Sequence, residues 1–260
     1  MHCAAAGAAD SFHETGIRWL GTLLIVAGIG VLVWSFAVWR WQDPFTYLLT
    51  EREQRALSTR YEQRRAAFDR SAVFSRPAAP ARPLDAVRTD LAAVASAYRR
   101  SSTEGDAIAR IEVPRIGVDH VVVEGTETDT LKKGPGRYRG TSMPGEGELV
   151  YIAGHRTTYG APFSHIDRLE PGDRVTVELP YATFEYAVTG RKIVPADFLQ
   201  ALDSRGREEV ALQACWPRFF ASQRIIVYAK PIKITLPGEQ PFNIPAVDGS
   251  GPFRPSRSDG

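Results

Sequence analysis

Apolar and polar positions divide the chain into zones of different periodicity. From Trp19 to Trp39 no residue is charged, and about 20 apolar residues in a helix span a ~30 Å hydrocarbon core. Arg18 and Arg40 bracket this run, and Trp19, Trp39 and Trp41 stand where an interfacial aromatic belt would. Together these features predict a transmembrane helix over 19–39. A cleaved secretory signal, whose apolar stretch is usually ~7–15 residues, and a buried core helix are the competing readings. Glu51 to Phe74 is dense in Arg, Glu, Gln and Ala, with sparse apolar positions at Leu57, Tyr61 and Phe68. That composition predicts a solvated helix, a stalk. The stretch from Arg76 to Pro83 (RPAAPARP) predicts a stiff linker. A short amphipathic helix is expected over Asp85 to Tyr98, with Leu84, Val87, Leu91 and Val94 on one face.

From Ala107 to Thr235 short β-branched runs alternate with turn residues: IARIEV, VDHVVVEG, ELVYIAG, DRVTVEL, TFEYAVTG, RKIVPA, EVALQAC and RIIVYAKPI. Val175, Val177 and Leu179 alternate with polar partners, as do Phe184, Tyr186 and Val188. Such period-2 runs predict an all-β domain, an antiparallel sheet or barrel. Residues 236–260, rich in Pro, Gly and Ser without periodicity, predict a disordered tail.

Composition narrows the function classes. The 32 Lys and Arg against 30 Asp and Glu leave a net charge of +2, too small for a nucleic-acid surface. Hydrophobic residues at 43% exclude wholesale disorder, and 2 cysteines exclude a disulfide scaffold. GxGxxG and GxxxxGK[ST] fingerprints are missing, as is HExxH or CxxC spacing, so neither a nucleotide cofactor nor zinc is expected.

Cys215 carries the chemical interest. It ends the run VALQAC and precedes Trp216-Pro217, where a strand must stop. Cys3 lies across the apolar span, so Cys215 has no disulfide partner in its own domain and is either a small buried hydrophobe or a nucleophile. A nucleophilic thiol needs a proton shuttle and an oxyanion donor. His155 exits a strand at Gly154 and is the first candidate shuttle, with a hydrogen-bonded structural histidine as the alternative. His165 is its rival in PFSHIDRL, His120 reads as structural, and His2 and His13 precede the apolar span. Arg224 begins the strand after Cys215, so the two could face each other across an antiparallel ladder, whereas Arg218 would point out of the turn.

These stretches resemble a sortase, specifically the class E type of Gram-positive actinobacteria. GPGRYRGTSMPGEGELVYIAGHRTTYGAPFSHIDRLEPGD is similar to the family's stretch around its catalytic histidine, which maps to His155. LQACWPRFFASQRIIVYA is similar to the stretch holding the catalytic cysteine and arginine, which map to Cys215 and Arg224. Two positions depart: Ala214 stands where many sortases have threonine, and Trp216 replaces a commoner small or polar residue.

The resemblance implies a closed eight-stranded β-barrel with short helices. It also implies a transpeptidase that cleaves an LPXTG-like sorting signal between Thr and Gly. Cys215 would form a thioacyl intermediate, His155 would move protons, and Arg224 would hold the oxyanion. Implied partners are surface proteins with C-terminal sorting signals and an amine acceptor, either a peptidoglycan precursor or a pilin. Trp216, Phe219 and Phe220 could shield the thioester from water. Arg18 alone precedes the span while Arg40, Arg52 and Arg55 follow it, a bias that would place the C-terminal mass inside the cell. Sorting signals and wall acceptors lie outside, so the expected layout is instead a cytoplasmic 1–18, a span over 19–39, stalk and linker over 40–106, and an extracytoplasmic barrel over 107–235. A membrane-anchored cysteine protease and a non-catalytic tethered β domain are the alternatives.

Overall fold

The computed structural model describes residues 7–41, 44–68 and 83–244. Cys3, most of the linker at 76–83 and the end of the tail lie outside the described residues.

The chain divides into two units, Met1–Pro44 and Phe45–Gly260. The first is built on one helix, α1 (Gly7–Trp41), longer at both ends than the expected span. Its Arg18–Phe36 stretch has a mean hydropathy of 2.0 and is long and apolar enough to cross a membrane. Trp19, Leu23, Leu32 and their apolar neighbours are exposed around the helix, as a lipid-facing surface requires.

The second unit is the expected barrel. Its strands are β1 (Ala107–Val113), β2 (Val118–Glu124), β3 (Gly136–Arg137), β4 (Leu149–Ala153), β5 (Arg174–Glu178), β6 (Thr183–Pro195), β7 (Glu209–Trp216), β8 (Gln223–Thr235) and β9 (Phe242–Asn243). They run in the order β6-β5-β1-β2-β3-β4-β7-β8-β9, and a pairing of β6 with β8 closes the first eight into a barrel. The accompanying helices are α2 (Pro44–Ala67), α3 (Leu84–Ser101) and the one-turn α4 (Thr128–Leu131).

The structure corrects three expectations. First, the sheet is mixed: β2 with β3 and β4 with β7 are parallel pairs. Every residue of β4 is buried, so it lacks the alternation of a one-sided strand. Its inner face (Val150, Ile152) joins the main core, and its outer face (Leu149, Tyr151) packs with Val194, Ala201, Ala211 and Ile226 in a second cluster. Second, α2 is docked rather than solvated. Leu57 and Tyr61 are 1% exposed and pack on Ala107, Val121 and Val123, and the Tyr61 hydroxyl donates to the Glu178 carbonyl at 2.9 Å. Third, residues 236–244, expected to be disordered, are ordered against the barrel. Leu236 is buried, and β9 pairs with β8 at Ile234↔Phe242.

The amphipathic helix appears as α3, which buries Val87, Leu91, Val94, Ala95 and Tyr98 in the main core. Buried hydroxyls there are satisfied: Tyr98 donates to the Ile108 carbonyl at 2.8 Å and Tyr181 to the Pro144 carbonyl at 2.7 Å.

Candidate active site

Two ladders meet at β7 and bring the singled-out residues to one end of the barrel. The parallel pairing of β4 and β7 runs from Leu149↔Glu209 to Ala153↔Gln213, and the Gly154 N–H extends it to the Gln213 carbonyl at 2.9 Å. His155 and Cys215 are therefore the same number of residues past the last paired positions, on neighbouring strands leaving in the same direction. On the other side of β7, the antiparallel ladder pairs Cys215 directly with Arg224 of β8. Directly opposed residues have Cβ atoms only about 4.5–5.5 Å apart.

Packing fixes the His155 loop. A Cβ on Gly154 would sit 2.6 Å from the Phe163 ring, so only glycine allows this approach. Phe163 is fully buried, and its N–H donates to the His155 carbonyl at 3.1 Å. The imidazole is half-buried, tilted against the Tyr159 ring at a centroid distance of 5.0 Å, and its Nε2 is buried without a hydrogen-bond partner among the described residues. Burial, and then the Lys132 cation, hold its pKa below the ordinary imidazole value. A neutral imidazole with a free ring nitrogen is a base in waiting.

Cys215 is a free, half-buried thiol. Arg224 is anchored by one Nη, which donates to the carbonyls of Ala221 at 2.8 Å and Gln223 at 2.9 Å. Its remaining N–H groups make no hydrogen bond among the described residues. Left-handed backbone at non-glycine residues occurs, among the described residues, at Tyr159 and Ala161 in the His155 loop and at Phe219 and Ala221 in the β7–β8 turn. Both loops of the site thus hold costly conformations, a pattern that gathers at functional sites.

Sequence reasoning missed Arg156. This side chain is 3% exposed; one Nη pairs with Asp167 at 2.9 Å and the other donates to the Cys215 carbonyl at 3.3 Å. Its guanidinium stacks 4.4 Å from the Trp216 ring centroid. It therefore links the histidine loop to the strand of the thiol. Trp216 is held under this cation, while Phe219 and Phe220 are 52% and 79% exposed.

Arg218 is corrected. It does not point out of the turn: it is half-buried with its Nε buried, and it acts electrostatically on Arg156 and His165. His165 precedes the short 3-10 turn Ile166–Arg168 and takes no part in the β4–β7 ladder. His120 lies on β2, separated from β7 by β3 and β4. Ala214 is fully buried in the main core, so the hydroxyl it lacks would face apolar packing. Among the described residues no three His, Cys, Asp or Glu side chains gather as metal ligands.

A barrel closed through β6–β8 with His, Cys and Arg at one end can be set against known proteins. Residues 111–232 match the family model described as a sortase domain. Over those residues the barrel is similar to a sortase domain. Among its relatives, Sortase D of Bacillus subtilis is 33% identical over 132 residues, covering 49% of this chain and 65% of that protein. Sortase SrtE1 of Streptomyces coelicolor is 28% identical over 145 residues, covering 50% of this chain and 41% of that protein. The chain therefore spans less than two thirds of the length of either. The SrtF sortase structure from Corynebacterium diphtheriae superimposes with a TM-score of 0.51 at 24% identity, covering 54% of this chain and 92% of that one, and shows the same fold. The sortase match starts within β1 and ends within β8, so it takes in every strand that contributes to the site.

Proposed function

We propose that this barrel is a cysteine transpeptidase of class E type that cleaves an LPXTG-like sorting signal between Thr and Gly and passes the acyl group to an amine. The observation that carries the proposal is the Cys215↔Arg224 pair on the β7–β8 ladder, with His155 leaving the adjacent strand at the same step. Cys215 Sγ attacks the Thr carbonyl carbon while His155 takes the thiol proton. As the C–N bond breaks, His155 returns that proton to the departing glycine amine, leaving the thioacyl enzyme. An incoming amine then attacks, loses its proton to His155, and expels the Cys215 sulfur. In both halves the free N–H groups of Arg224 face the developing oxyanion. The class E reading rests on the stretches 134–173 and 212–229, while the relatives above carry both D and E1 names.

The acceptor and donor chemistry belongs outside the cell, so α1 is proposed to anchor the domain on the outer face of the membrane. Surface proteins bearing sorting signals supply the acyl group, and a peptidoglycan-precursor or pilin amine accepts it. To test this, the detergent-solubilised full chain is incubated with LPXTG-like peptides and an amine, and products are weighed by mass spectrometry. A Cys215-dependent acyl–amine adduct is expected. Intact peptide with every donor, or equal conversion by Cys215→Ala, would sink the proposal, and water-only cleavage would favour a protease.

A further inference from the structure

Where the backbone ladder between β4 and β7 ends, a side chain takes over its next hydrogen bond. The last backbone bond runs from the Gly154 N–H to the Gln213 carbonyl at 2.9 Å. Bonds of a parallel ladder recur at every second residue, so the next would join the Arg156 N–H to the Cys215 carbonyl. That carbonyl instead accepts from an Nη of the Arg156 guanidinium at 3.3 Å. Two firmer contacts hold the guanidinium there. Its other Nη pairs with Asp167 at 2.9 Å, and the Trp216 ring centroid lies 4.4 Å away. The residue after His155 thus grips both the Cys215 carbonyl and the residue after Cys215. Packing alone gives little reason for an arginine at this position. Its Nε is buried without a hydrogen-bond partner among the described residues, and an unmet buried donor costs stability. Apolar side chains of similar volume often replace a buried ion pair without loss.

We propose that Arg156 is a positioning residue for the acyl transfer: its fork carries the β4–β7 register one step past the backbone ladder and so sets His155 against Cys215. This rests on the transpeptidase reading above. The arrangement answers a geometric conflict. Base and nucleophile need a fixed spacing, yet an acyl carbon has to come between them, and strands bonded through their backbones stand only about 4.8 Å apart. A long side chain keeps the register at a wider separation than a backbone bond allows. Arg156 acts on the reaction through the Cys215 backbone and the Trp216 ring, not by touching the reacting atoms.

The test compares the full chain in detergent with Arg156→Met, which keeps much of the apolar stem, and Arg156→Lys, which keeps the cation. A lysine ammonium is a point charge and cannot reproduce the fork that spans Asp167 and the Cys215 carbonyl. Both variants should lose kcat for thioacyl formation on the order of a hundredfold, with the donor KM unchanged. Chemical denaturation should find Arg156→Lys near the wild type in stability. If Arg156→Lys restores kcat along with stability, charge or packing suffices and the proposal falls. A kcat retained in Arg156→Met overturns it too, as does a loss that vanishes when rates are scaled to folded protein. A second arm needs no turnover. In a Cys3→Ala chain grown with carbonyl-labelled cysteine, Cys215 carries the only label. Its infrared carbonyl band should move to higher frequency in Arg156→Met as the hydrogen bond is lost, and a band that stays in place overturns the contact. If the wild type cleaves no donor, the transpeptidase reading fails by itself, and the infrared arm still decides whether Arg156 holds the Cys215 carbonyl.

Discussion

At the residue scale the proposed chemistry turns on one imidazole. His155 is kept neutral first by its burial and then by the Lys132 cation, which Asp129 partly offsets by pairing with it at 2.7 Å. Because the folded-state pKa is lowered, the base form persists as pH falls below the ordinary imidazole value and is lost only further into acid. The acidic limb of kcat/KM against pH should therefore lie below that value. Replacing Lys132 with Gln removes a like charge, which favours the imidazolium, so the limb should move to higher pH. A pH–rate profile of the two proteins checks this, and a limb that stays still or moves toward acid contradicts it. That His155, Cys215 and Arg224 come to one end of the barrel was foreshadowed by their order and by the strand-ending Trp216-Pro217, which survive in the sequence as local pattern. Arg156 was not. It is one arginine in a chain with 32 Lys and Arg, and only the fold shows it buried against Trp216 and the Cys215 carbonyl.

At the element scale α2 shows why a polar helix can be misread. Its apolar stripe is thin, essentially Leu57 and Tyr61, and the rest of its docking uses hydrogen bonds and charges. The Gln54 amide accepts from the Val121 N–H at 2.7 Å and donates to the carbonyls of Val121 at 3.2 Å and Lys133 at 2.7 Å, imitating a strand along β2 before β3 begins. Arg65 pairs with Glu178 at 2.7 Å and Arg64 with Asp106 at 2.9 Å. Nearer its start, Thr46 accepts from the Tyr159 N–H at 2.9 Å, so the helix also steadies the His155 loop. Hydropathy sees none of these polar contacts, whereas α3, with its stronger stripe, was legible. Two substitutions separate the terms. Leu57→Ala should cost about 2–5 kcal/mol of domain stability by emptying a packed site, and Gln54→Leu about 1–3 kcal/mol by orphaning backbone groups of β2. Chemical denaturation of the full chain in detergent measures both, and losses under ~0.5 kcal/mol, the level of a surface change, would mean α2 is not docked.

At the scale of the whole molecule, the all-β class was legible from period-2 runs, whereas closure was legible only through the family resemblance and not from the periodicity. The parallel β4–β7 pair that aligns His155 with Cys215 joins strands separated by β5 and β6 in the chain, and a strand buried on both faces shows no alternation to announce its partner. Membrane orientation poses a similar conflict between local and global signals. The arginines near the apolar span favour an internal C-terminal mass, but a long translocated domain responds weakly to flanking charge. The proposed chemistry needs donors and acceptors found outside. The two cysteines, Cys3 before the span and Cys215 after it, form a natural pair of reporters. A membrane-impermeant maleimide applied to intact cells should label the wild-type chain and not Cys215→Ala, whereas Cys3→Ala should label like the wild type. Permeabilisation should then expose Cys3. Labelling of Cys215→Ala on intact cells would place the N-terminus outside, leaving the thiol of Cys215 on the wrong side of the membrane for sorting.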